Sequence, residues 1–446
     1  MFTHYFFVPN RLLWAKWEDF ITGGKDNADA SVHPFFSLND ARKSFFVRGS
    51  LADYMGIPTT DGMTINAAAA CNLNALPFKA YQQIYNDYYR DPVLDSEVDV
   101  NYSTDGDNST AGSALMTLRN RCWEKDYFTS ALPYPQQGSL TVEMPIEGSM
   151  TPEYLTQSLL NGVTTADGTL KSLSGGLVDN SNVIQQIENL EPAQTVDFTG
   201  VDIEDLRTAI KLQEWLEKNA RGGWRYIEQM LSHFGVTSKD SRLQRAEYLG
   251  GGKQPVVISE VLSTSDSGSY DVGQMAGHGI SVGKSNGFKR YFTEHGWIIG
   301  IMSVMPRSAY YQGIPRSFRK DDKFDYYWPE FANLGEQPVL NEELYWDGLV
   351  TNPVGVTFGY QERYSEYKFG IDTVHGDYRT TGYENFHMGR KFSSLPALNS
   401  TFVHVTKANM DRVFQVTDTN TDKLYVQLYN SVKASRPIPY VTIPKF

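Results

Sequence analysis

Gly279, Ile280, Ser281, Val282 and Gly283 follow the G-x-S-x-G pattern. In a hydrolase that pattern is a strained turn between a strand and a helix, and it exposes a serine as nucleophile. The flanks do not suit it: Ser263 to Gly277 is polar and glycine-rich with no apolar strand, and Lys284 to Gly287 does not begin a helix. A flexible loop is the expectation, with a serine hydrolase centred on Ser281 kept as a rival. The same stretch ends in Gly283-Lys284-Ser285, as a phosphate-binding loop would, but the first glycine of that motif would fall on His278. Successive backbone N–H groups must converge on one phosphate, so a one-residue displacement removes the site. Asp418 to Asp422 begins like a calcium loop, until Lys423 replaces the turn glycine and Tyr429 the bidentate glutamate; a hairpin turn is expected there. The eight histidines contain no H-x-x-x-H pair, and neither Cys71 nor Cys122 has a neighbour at ligand spacing. No catalytic residue, metal or cofactor is assigned.

Two clusters of cations lie among aromatic residues. Arg316, Arg319, Lys320 and Lys323 fall within eight residues and precede Phe324, Tyr326, Tyr327 and Trp328. Arg119, Arg121 and Lys125 surround Trp123 and precede Tyr127 and Phe128. Cations for phosphates and rings for bases are the combination that holds a single nucleic-acid strand. Arg316, Arg319, Lys320, Lys323, Arg119 and Arg121 are therefore the candidate nucleic-acid contacts. The competing expectation is structural: Asp321, Asp322 and Asp325 would neutralise the first cluster in local ion pairs, and the rings would be core.

The elements that must position these residues are mostly strands. Leu424 to Val432 is the clearest, with Leu424, Val426 and Leu428 alternating with Tyr425, Gln427 and Tyr429 after a turn at Thr417 to Lys423. Further strands are expected at Met1 to Val8, Ser139 to Pro145, Val256 to Leu262, Gly296 to Met305, Val354 to Gln361 and Val413 to Val416. Their irregular spacing excludes the steady strand–helix alternation of a parallel sheet. Helical periodicity runs from Phe78 to Arg90 after Pro77, with Phe78, Tyr81, Tyr85 and Tyr88 on one stripe. A second helix is expected from Ile203 to Ala220 with Asp202 as N-cap and a break at Arg221-Gly222-Gly223, and a third from Trp224 to His233. Gly148 to Gly200 is rich in Ser, Thr, Gly and Asn, which points to a surface insertion with structure of its own, and Asn101 to Gly112 to an exposed loop.

Composition bounds what these elements build. The 446 residues include 27 Tyr, 24 Phe and 8 Trp, enough aromatic surface to exclude a disordered chain. Forty basic against 52 acidic side chains leave −12, which excludes a uniformly basic nucleic-acid coat, so any such contact must be local. Two cysteines fit a reducing cytoplasm. The most apolar run, Trp297 to Met305, is nine residues, about half a membrane span, so no membrane insertion is expected. The start, Met1 to Trp17, has no signal-peptide pattern and reads as though joined in mid-strand. A mainly β protein with a structural or binding role follows; a carbohydrate-binding β protein using its tyrosines is a second rival.

Longer strings narrow this further. They include FFVPNRLLW (Phe6 to Trp14), GSLADYMGIP (Gly49 to Pro58), NALPFKAY (Asn74 to Tyr81), DYFTSALPYP (Asp126 to Pro135), RLQRAEYLGG (Arg242 to Gly251), FTEHGWIIG (Phe292 to Gly300), FDYYWPEFANLGEQPVL (Phe324 to Leu340) and GYQERYSEY (Gly359 to Tyr367). In these the chain resembles the major capsid proteins of the Microviridae, bacteriophages with circular single-stranded DNA, and most closely the gokushovirus-like branch. The resemblance covers nearly everything outside 148–200. It implies an eight-stranded antiparallel viral jelly roll with long helix-containing insertions between strands, one capsid domain over 1–446. It implies self-assembly into a T=1 icosahedral shell around a single-stranded DNA genome, in company with minor virion proteins such as a DNA pilot protein. The implied location is the virion, assembled in the bacterial host cytoplasm. Residues 148–200 are the candidate projecting insertion that contacts a host receptor. Family members usually carry several tens of residues before the FFVPNR string, so an upstream amino-terminal segment is expected to be missing.

Overall fold

The computed structural model describes residues 1–24, 30–66, 71–109, 112–138, 203–223, 225–262, 275–284, 287–348, 353–380, 382–414 and 421–437. Ser139 to Pro145, the insertion 148–200 and the turn residues 417–420 lie outside them. The strands are β1 (Phe2–Pro9), β2 (Phe35–Leu38), β3 (Cys71–Asn74), β4 (Glu247–Lys253), β5 (Val257–Leu262), β6 (Met275–Ile280), β7 (Gly296–Ser303), β8 (Glu336–Leu340) and β9 (Thr357–Glu362). The longer helices are α1 (Leu76–Ile84), α2 (Ile203–Gly222) and α3 (Tyr226–Phe234). The described strands form one three-stranded sheet in the order β4-β1-β7 and the two-stranded pairs β2-β3, β5-β6 and β8-β9.

β1 is central because it can be buried on both faces. Phe6, Val8, Phe2 and Phe7 are all inaccessible, which a strand with one wet face would not allow. It pairs antiparallel with β7 in unbroken register from Phe2 opposite Ser303 to Pro9 opposite Gly296, and with β4 across an irregularity between Tyr5 and Phe6. Gly296 is required at that corner, since a Cβ there would lie 2.5 Å from the Val8 carbonyl oxygen.

The chain divides into two compact units, one of Met1–Pro133, Val236–Ala332 and Gln337–Phe446, the other of Tyr134–Gly235 and Asn333–Glu336. In the first, Phe6, Val8 and Trp14 pack with Leu76, Ala80 and Ile84 of α1. Phe78 and Tyr81 face a second cluster around Phe36, Phe46 and Leu51. The sequence stripe therefore understates α1, which is buried all round; Pro77 sits in its first turn and the Asn74 side chain accepts the Leu76 N–H at 2.8 Å. In the second unit α2 and α3 meet at a turn whose Gly223 has φ +99°, and His233 bonds Asn219 at 2.6 Å. Trp224, the expected start of α3, is outside the described residues; the helix begins at Tyr226.

Two expected strands are absent where described. Val413 and Phe414 close turns, their N–H groups bonded to the Met410 and Asp411 carbonyls. Leu424 to Val432 forms no bridge among the described residues and lies open to solvent. No described helix is long and apolar enough to cross a membrane.

Full burial of α1 places a cation in the interior. Lys79 is inaccessible, its ammonium bonded to the Asn101 carbonyl at 2.9 Å, and desolvation brings its pKa down to about 8 against the pull of Asp99 and Asp105. Above pH 8 the folded chain releases this proton before the unfolded chain does, so the cost of burying the charge fades as pH rises. Lys79→Met is expected to be more stable relative to the native chain at pH 7 than at pH 10; denaturant midpoints at the two pH values measure this.

Candidate functional site

The segment from Arg316 to Trp328 is built of short helical turns at Arg316–Phe318 and Lys323–Asp325, which give it no ladder of its own. It is held instead by ion pairs to residues far along the chain. Arg316 donates to Glu343 at 2.8 Å and Arg319 to Glu342 at 3.0 Å, and both carboxylate side chains are only 2% exposed. Glu343 also accepts the Tyr127 hydroxyl at 2.9 Å and the Leu340 N–H at 3.0 Å, and Glu342 the Gly355 N–H. Burial pushes the Glu343 carboxyl up, with Arg316 pulling the other way. Lys320 lies 3.7 Å from Glu366 and over the rings of Tyr367 and Tyr326.

Three of the four cations in the first cluster are thus paired, but not with the acids next to them. Asp325 accepts the backbone N–H groups of Asp321 and Asp322 and ties the turn. Lys323 points out over Phe324. The rings are not core either: Phe318 is 80% exposed, and Phe324, Tyr326, Tyr327 and Trp328 are all exposed. Three of the cations are thus tied to carboxylates while these rings stand open to solvent, a candidate stacking platform.

In the second cluster the rings are core and the cations partly so. Trp123, Tyr127 and Phe128 are buried. Arg119 donates to the Gln82 side chain at 3.1 Å and the Ala114 carbonyl at 2.7 Å. Arg121 stacks over Phe2 and Tyr89 and donates to Ser303 at 2.9 Å. Next to Arg121 in the chain, burial pushes the Cys122 thiol up to about 12, which keeps it protonated and unreactive.

Ser281 follows β6, so a strand does precede it, but no helix follows in the described residues and its hydroxyl donates to the Pro255 carbonyl at 2.9 Å. That is a satisfied loop serine, not an elbow nucleophile. Among the described residues no group of three or more His, Cys, Asp or Glu comes together to hold a metal.

The whole chain, residues 1–446, matches the family model described as capsid protein (F protein). The chain belongs to that capsid protein family. It is similar to capsid protein VP1 of Chlamydia phage 1, 34% identical over 99% of this chain and 86% of the relative. VP1 of Bdellovibrio phage phiMH2K is also 34% identical, and VP1 of Spiroplasma virus 4 is 31% identical, each over 99% of this chain and 84% of the relative. The chain is a structural major capsid protein of a Microviridae bacteriophage of the gokushovirus-like branch, a component of the virion and not an enzyme.

Capsid proteins work by presenting surfaces, so what holds a surface in place matters as much as what it shows. Sequence reasoning missed Glu342, Glu343 and Glu366 as the partners of the basic cluster. The signal available was two adjacent glutamates after the apolar Val339 and Leu340, where a buried acid needs a cation from elsewhere. Arg316→Ala in the capsid protein strands the Glu343 carboxylate and is expected to lower subunit stability by about 3 kcal/mol or more. Lys323→Ala should leave the urea midpoint unchanged.

Proposed function

We propose that this capsid protein builds a T=1 icosahedral shell on an eight-stranded jelly roll spanning 1–446, enlarged by insertions, and encloses a circular single-stranded DNA genome. The observation that supports the shell most directly is the apolar surface left open on one subunit. Val282 is 91% exposed and Tyr291 85%, large side chains that contact with neighbouring copies would cover. Closed symmetry repeats each modest contact around the particle and so multiplies its effect. Assembly in the bacterial host cytoplasm, association with a DNA pilot protein, and host contact through 148–200 complete the reading; the last rests on that segment's polar composition and weak resemblance.

For the genome contact the six cations take different parts. Arg316, Arg319 and Lys320, already paired, brace the 316–328 platform, while Lys323 and the outward rings of Phe318, Phe324, Tyr326, Tyr327 and Trp328 meet the strand by charge and stacking. Arg119 and Arg121 join the same proposal where phosphates compete with the internal partners named above.

Expression of the full chain followed by electron microscopy tests the shell: uniform small icosahedral particles are expected, and persistent monomers in every salt and pH condition would overturn it. Lys323→Ala combined with Phe318→Ala and Trp328→Ala is expected to give particles of normal size that package less DNA per particle, read by absorbance ratio. Unchanged packaging removes the platform from the genome surface.

A further inference from the structure

Tyr364 stands in a conformation that its side chain disfavours. It comes shortly after β9, and its φ of +63° and ψ of +25° put a bulky, buried residue in the left-handed region that glycine or asparagine ordinarily takes. Such a backbone persists only where the surroundings fix it. Here the Tyr364 N–H donates to the Gln337 side chain at 3.1 Å and its carbonyl accepts the Tyr367 N–H at 3.0 Å. Gln337 is buried in turn and donates to Glu366 at 2.8 Å.

The side chain held in this way reaches the exposed rings. The Tyr364 hydroxyl donates to the Tyr326 carbonyl at 3.2 Å and accepts the Trp328 N–H at 3.3 Å, and the Tyr364 ring meets the Tyr327 ring edge-on at 5.1 Å. One side chain therefore touches three consecutive platform residues, the backbone on either side of Tyr327 and the ring between. Arg363 lies over the Tyr364 ring and donates to the Phe324 carbonyl at 3.2 Å. Tyr326 to Trp328 link the short turns at Lys323–Asp325 and Pro329–Phe331, so these contacts fix the backbone from which the three half-exposed rings project. Bases stack well on rings already held in place, because a loose platform loses part of the stacking energy to its own ordering.

We propose that Tyr364 is a positioning residue for single-stranded DNA: its hydroxyl holds Tyr326 and Trp328 where successive bases can stack on them, without preference for the base. The strained backbone is the means by which that hydroxyl reaches both groups. The proposal rests on the genome-contact reading of the platform and names the residue that sets it.

Titration of the full chain with oligothymidylate, read by tryptophan fluorescence quenching with the Trp328→Phe chain to isolate the share of Trp328, tests it. Tyr364→Phe keeps the ring and loses the two hydroxyl bonds. It is expected to bind at least fivefold more weakly, to lose the Trp328 share of the quenching and to exchange the Trp328 amide at least tenfold faster. The slope of log affinity against log salt should not change, because no phosphate contact is touched. Native affinity with the Trp328 share intact would overturn the proposal while leaving the platform standing. So would weaker binding accompanied by a lower melting temperature or a shallower salt slope, which would make Tyr364 a support of the fold and not of the rings. Failure of the native chain to bind, or native affinity in the combined Lys323→Ala, Phe318→Ala and Trp328→Ala chain, would overturn the genome reading of the platform and this inference with it.

Discussion

The placement of β1 in the middle of a sheet is the constraint on which the larger unit depends. Its Phe6 and Val8 are the floor on which α1 lies, and Ile299 and Ile301 of its partner β7 touch both of the clusters that α1 separates. Phe2 sits opposite both Lys253 and Ser303, so the start of the chain is closed against segments from its second half. Such pairing cannot form until long loops have closed, which makes the fold slow to nucleate and dependent on strong local burial once it does. The aromatic density of the first strand meets that need: every inward ring adds on the order of 2 kcal/mol of burial.

Charge is handled by a second device. A chain with a net charge of −12 would repel itself if its acids were simply spread on the surface. Here Glu342 and Glu343 are taken inside, where Arg319 and Arg316 neutralise them. The pairs are a poor source of stability in themselves, since desolvation opposes them, but losing either partner is costly and so they hold register. The consequence for the surface is that four cations close in sequence leave one, Lys323, turned outward beside several exposed rings.

Much of this was legible residue by residue. Alternation or apolar runs marked β1, β5, β7 and β9, and helical period marked α1, α2 and α3 within a few residues, because those patterns follow from local geometry. The basic cluster was visible too, but its partners were not. Asp321, Asp322 and Asp325 were the neighbours in sequence, while Glu342, Glu343 and Glu366 are neighbours only after folding. The 424–432 segment shows the same limit from the other side: its sequence alternates as a strand does, yet it forms no bridge among the described residues, because pairing needs an edge that local pattern does not supply.

By itself, the sequence determined the family, through long strings that few chains share, and with it the capsid role. It also determined which segments tend to strand or helix, since period and side-chain branching act over a few residues. Tertiary structure alone decided that α1 is buried on every side with Lys79 inside and which acids answer which cations. Those are properties of approach between distant parts of the chain, and no local pattern encodes the distance.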